Sequence, residues 1–203
     1  MASVAAAAPT IVGRTRLEGP QGEIEAEMIL DRLFRPRPSQ TAAKSLYAGV
    51  VAQARTPALY AELGAPDTVE GRFELYTLHV MLLLDRLRGQ GEAASETSQA
   101  LFDAYVRALD DALREMGVGD LSVGKKMRKL GEAFYGRAKS YEAAFAALPD
   151  AGPLTALLER TVYAEADAAR ATALGAYVIA QRAWLAGQPI EAVTAGEATW
   201  AAA

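Results

Sequence analysis

The stretch TVEGRFELYTLHVMLLLDRL, from Thr68 to Leu87, most constrains what this chain can fold into. Wound as a helix it is apolar on nearly every side after Phe73, and a helix without a polar face must be enclosed by other elements. It does not read as a membrane span. Its longest run of large apolar residues, Val80 to Leu84, ends at Asp85, far short of the roughly 20 residues that a span requires. The rest of the chain therefore has to supply the enclosing surface.

That surface reads as helical. From Thr41 to Arg55, apolar residues recur at three-and-four spacing, and a short helix follows from Pro57 to Leu63 with Gly64 as its stop. After a loop in which Ser95 or Thr97 can cap, Leu101, Phe102, Tyr105, Leu109 and Leu113 mark another stripe. It ends at Gly117, placed for a left-handed C-cap with Val118 folding back onto the last turn. A further helix starting near Ser122 has Val123, Met127, Leu130, Phe134, Tyr141 and Phe145 on its buried side. Leu154 to Val162 opens the next, and residues 167 to 187 form the last, with Leu174, Tyr177, Val178, Gln181, Trp184 and Leu185 on one side. No stretch alternates in the period-two pattern of a strand. Alanine, about one residue in five, favours helices packed closely. The expectation is an all-α fold: a single compact multi-helix domain over 28–188, a poorly ordered extension over 1–27 and a loose C-terminal tail over 189–203, whose one tryptophan, Trp200, is free to dock. MILDRLF, from Met28, reads as one or two helical turns stopped by Pro36 and Pro38.

Several chemistries are excluded. There is no cysteine, which removes disulfides, thiolate nucleophiles and cysteine-based metal sites. The single histidine, His79, sits mid-way along the central helix, where a hydrogen-bonded core residue is the plain reading; a ligand or pH switch lacks any clustered partner. Gly119 to Lys125 fits G-x-x-x-x-G-K, but Lys126 stands where a magnesium-binding Ser or Thr belongs and a helix precedes it instead of a strand. No Glu-x-x-His motif offers a carboxylate metal site. Catalytic, metal and cofactor sites are therefore not expected, nor is a small-molecule substrate or DNA. The start of the chain lacks the basic leader of a secretory signal, so a cytoplasmic location is the default.

Charge is segregated. The formal net charge is −4, yet residues 123 to 139 hold six Lys and Arg against one Glu, or +5, which leaves −9 elsewhere. The cations are Lys125, Lys126, Arg128, Lys129, Arg137 and Lys139. Such a face can bind a phosphate-rich surface, stay solvated, or pair with the acidic helix before it. Gly136, inside the helix, costs about 1 kcal/mol relative to alanine, and a close backbone neighbour would account for it.

Four stretches, VAQARTPALYAELGAPDT (51–68), GRFELYTLH (71–79), LREMGVGDLSVGKKMRKLGEAFYGR (113–137) and, more weakly, LGAYVIAQRAWL (174–185), resemble the ubiquinol–cytochrome c chaperone family. The resemblance implies an all-helical, non-catalytic chaperone that binds newly made cytochrome b and promotes assembly of ubiquinol–cytochrome c reductase; the alanine-rich composition points to a bacterial member. It also marks Arg72, Glu74, His79, Glu115, Asp120, Lys125, Phe134, Tyr135 and Arg137 as candidates for partner binding or for holding the fold, and the charge pattern adds Lys126 and Lys129 as partner-binding candidates. Reductase subunits are the expected clients. A second reading is a peripheral adaptor whose basic helix meets the ribosome or an anionic membrane, at the inner face of the cytoplasmic membrane.

Overall fold

The computed structural model describes residues 37–164 and 167–202, with backbone alone at 120 and 121. The expected extension over 1–27 and the turns at Met28 lie outside the described residues. Those residues form α1 (Pro38–Ala54), α2 (Pro57–Ala61), α3 (Val69–Leu87), α4 (Glu92–Glu115), α5 (Asp120–Ala147), α6 (Gly152–Thr161), α7 (Ala168–Ala186) and α8 (Ile190–Thr194), with no strand among them. The all-α expectation holds.

The central position expected for the apolar helix is what α3 occupies. It packs against α1, α4, α5, α7 and α8, and Leu75, Leu78, Val80, Leu82 and Leu83 are buried. Thr68 caps its start, accepting a hydrogen bond from the Gly71 N–H at 3.1 Å. Gly71 itself is a close-approach position, because a Cβ there would collide with the Pro66 carbonyl. On the side facing α4, the Tyr105 hydroxyl meets Thr77 Oγ1 at 2.7 Å, while Thr77 donates to the Phe73 carbonyl. The polar atoms of this buried pair are thereby satisfied.

Helix starts differ from expectation in two places. α1 begins at Pro38, one turn before the expected start at Thr41. At that position the missing N–H is one the helix would not have used, and the fixed φ is already helical. α4 opens at Glu92, with Gly91 (φ +96°) as its N-cap residue, so Ser95 and Thr97 lie inside the helix. A turn at positive φ brings the chain in one turn earlier than a side-chain cap would.

The end of α4 follows the expected pattern closely. Gly117 has φ +79° and its N–H bonds the Arg114 carbonyl, while the Val118 N–H reaches back to Leu113. This pair of bonds satisfies carbonyls that the helix end would leave orphaned. The chain then reverses into α5, and the G-x-x-x-x-G-K segment becomes its first turns, with Gly119 extended at φ −65°, ψ 153°.

The α4–α5 hairpin is unevenly supported. Core members of α5 begin at Phe134, and the last residue of α4 packed on the core is Leu109. Beyond these, Leu113 and Val123 are buried outside the main cluster. The basic half of α5 is carried on this distal part of the hairpin.

Residues 189–202 do not form a loose end, and Trp200 docks. α8 buries Val193 against Leu87 and Ala94, and the Trp200 ring stands edge-on to His79 at 5.1 Å between centroids. Gln181 holds the segment by both of its amide atoms, donating to the Ala201 carbonyl at 2.9 Å and accepting from its N–H at 3.0 Å. Trp184, expected on the buried side of α7, is 50% exposed, with its indole N–H directed at Thr199.

Candidate partner-binding surface

Two polar contacts tie together residues from all four motif stretches. In the first, Gln53 Nε2 donates to the Tyr177 hydroxyl at 2.9 Å. Tyr177 lies 2.8 Å from His79 Nε2, and His79 Nδ1 lies 2.7 Å from the Leu75 carbonyl. Because a carbonyl only accepts, Nδ1 carries the hydrogen and Nε2 accepts from Tyr177. The ring is fully buried, and burial pulls its pKa down from 6.5 to about 4 even though the Leu75 bond pulls the other way. His79 is thus neutral and internal, as the core reading held. Burial likewise pushes the Tyr177 hydroxyl up to about 12.

The second contact joins Glu74 on α3 to Arg137 on α5. The guanidinium forks onto both carboxylate oxygens, at 2.9 Å from Nε and 2.8 Å from Nη2. Glu74 is buried and Arg137 is partly so, with 28% of its side chain exposed. The carboxylate hydrogen bond raises the arginine pKa above its ordinary value. Beside the pair, the Tyr141 hydroxyl is buried without a hydrogen-bond partner among the described residues, and burial raises its pKa as well.

The candidate residues therefore divide by position. Glu74, His79 and Phe134 are internal, with the Phe134 ring tilted against Phe102 and Tyr105 at centroid distances of 5.0 and 5.4 Å. Arg137 is committed to Glu74. Arg72 is on the surface and bonds Asp67 at 2.6 Å, which raises its own pKa and lowers that of the carboxyl. Glu115, Lys125, Lys126, Lys129 and Tyr135 are exposed, and the side chain of Asp120 lies outside the described residues.

Pairing with the acidic helix does not neutralise the lysines. Among the described residues Lys125, Lys126 and Lys129 make no ion pair, Arg128 approaches Glu132 of its own helix at 3.9 Å, and Asp110 is held by Arg114. The close neighbour expected at Gly136 is also missing: a Cβ there, or at Gly124 or Gly131, would meet nothing within 4 Å.

Two features escaped the sequence reading. A groove of about 340 Å³ runs between α3, α4 and α5, floored by Leu84, Phe102 and Phe134 and edged by Tyr135, which is 63% exposed. Phe102 was legible as an apolar stripe position, but periodicity does not distinguish the centre of a packed face from its open edge. The other is a cleft of about 700 Å³ lined by Arg55, Tyr60, Asp67 and Arg72, where Arg55 donates to the Tyr76 hydroxyl at 2.8 Å. Among the described residues no cluster of His, Asp and Glu has the arrangement of a metal site, and no helix is long and apolar enough to cross a membrane.

Comparison with known proteins places these features in a lineage. No curated protein matches the chain. The crystal structure of the Cbp3 homolog from Brucella abortus is similar, at 34% sequence identity and a TM-score of 0.75, over 88% of this chain and 97% of that one. Residues 61–200, which include the two polar contacts apart from Gln53, match the family described as Ubiquinol-cytochrome C chaperone. The chain belongs to the ubiquinol–cytochrome c chaperone family.

Proposed function

We propose that this protein is an assembly chaperone that binds newly made cytochrome b and promotes biogenesis of ubiquinol–cytochrome c reductase. Membership of the chaperone family carries the proposal. The groove between α3, α4 and α5 is the surface best suited to a client. It offers the exposed ring of Tyr135 and the edge of Phe102 to an apolar helix, next to cations on α5. An apolar patch rimmed by polar groups is the usual mark of a protein-binding face.

In this reading the protein acts by holding its client, with no catalytic step, cofactor or small-molecule substrate. The Glu74–Arg137 fork and the Gln53–Tyr177–His79 chain contribute by fixing α3, α5 and α7 relative to one another, so that the groove keeps its shape. Clients are met at the inner face of the cytoplasmic membrane.

Deleting the gene is expected to lower assembled reductase and cytochrome b while other respiratory complexes persist. Normal levels of both would overturn the proposal. A photo-reactive residue in place of Tyr135 should cross-link to cytochrome b in membranes, and mass spectrometry of the product identifies what sits in the groove.

A further inference from the structure

The exposed side of α5 carries a row of cations with a defined geometry. At 100° per residue, Lys125, Arg128, Lys129 and Lys139 fall within an arc of about 100°, centred opposite the buried side of Phe134, Tyr141 and Phe145, and Lys126 flanks it. From Lys125 to Lys139 the row is roughly 21 Å long at 1.5 Å per residue. All five side chains are exposed, and Glu132 is the one carboxylate within the row. Gly136 lies in the same arc, so no side chain interrupts the surface there.

We propose that this row is a docking surface for anionic phospholipid, laying α5 along the plane of a membrane. Charge complementarity supplies the attraction, since each Lys or Arg near an anionic bilayer strengthens binding about fivefold. Two further observations favour lipid over nucleic acid. Four of the five cations are lysines, compact charges on flexible stems that match scattered headgroups and lack the planar fork of arginine. The exposed apolar groups of the hairpin, Met116 at 54% and Tyr135 at 63%, lie at its tip and beside the row, and a thioether and a phenol suit the boundary between headgroup and acyl chain. With the remaining chain at −9, the molecule is polarised, and the row is the face that an anionic surface would draw in. The cations lie outside the groove lining, and Tyr135 is the residue that the two surfaces share.

Co-sedimentation of the full chain with vesicles tests the proposal, using one-third phosphatidylglycerol in phosphatidylcholine against phosphatidylcholine alone. Binding is expected to the anionic vesicles only, falling steeply with added salt as charges are screened. The triple variant K125E/K126E/K129E should lose at least about a hundredfold in partitioning. A control of equal charge change elsewhere, K44E/R107E/R160E, should stay within a few-fold of that variant's parent. Circular dichroism confirms that each variant is helical, and the salt titration of the unaltered chain reads the same attraction without any variant. Absence of binding at low salt, equal binding to neutral vesicles, or equal loss in the control would each overturn the proposal. So would preferential sedimentation with ribosomes that the vesicles fail to compete.

Discussion

Arg137 on α5 grips both carboxylate oxygens of Glu74 on α3, across 63 residues of sequence. Removing the arginine strands a buried carboxylate. Arg137→Met is expected to lower stability by about 2 kcal/mol, less than the ~3–5 of a fully buried pair because water reaches this guanidinium. Arg137→Lys should recover little, since an ammonium cannot form the fork. The double variant E74Q/R137M should cost less than the sum of its parts, as urea midpoints in a double-mutant cycle will show.

The neighbouring Tyr141 predicts the opposite sign. Its buried hydroxyl has no partner among the described residues, so Tyr141→Phe removes a desolvated polar group and keeps the ring. Stability is expected to be unchanged or to rise by about 1 kcal/mol in the same assay.

Stability should also depend on pH through His79. Its folded pKa of about 4 lies below the 6.5 expected of the unfolded chain, so the unfolded chain takes up the proton first as pH falls. This contribution is constant above about 6.5, declines between 6.5 and about 4, and is fully lost below, about 3 kcal/mol in all. His79→Gln should flatten that part of the profile of urea midpoint against pH.

Trp200 can be tested through the same residue. Trp200→Ala should cost about 2–3 kcal/mol in lost packing and admit water to the imidazole. The folded pKa of His79 should then rise from about 4 toward 6.5. With a single histidine in the chain, its proton NMR titration is read without assignment.

Two glycines should respond in opposite directions. Gly71→Ala forces a Cβ into the Pro66 carbonyl and should destabilise the entry to α3 by several kcal/mol. Gly136→Ala places its methyl in open space and should stabilise the isolated protein by about 1 kcal/mol. If Gly136 is kept for a partner that approaches closely, the same variant will bind that partner more weakly, which a pull-down from membranes compares directly.

Local features of the fold were legible in the sequence because their causes are local. The all-apolar winding of α3, the glycine stop at 117 and the stripe from Phe134 to Phe145 each follow from spacing within one helix, whereas Met127 and Leu130, on the same spacing, are only half-buried and lie outside the core. Partners distant in sequence were not. Glu74 and Arg137 each read as candidates for contact or for fold, and nothing in their spacing shows that they satisfy one another. Trp184 illustrates the same limit: it belongs to the apolar pattern of α7, yet the segment after α8 packs on α7 through Gln181 and leaves Trp184 half exposed. The groove was hidden for a related reason, since it exists only where α3, α4 and α5 fail to close on each other.

The docking of Trp200 onto His79 has a consequence for biosynthesis. Ribosomes deliver a chain from its N-terminus, and domains fold as their segments emerge. The indole that closes over the histidine follows α1, α3 and α7 in the chain, so these helices emerge before the residue that covers His79. A chain that stops short of Trp200 would carry these helices around an open, wettable centre.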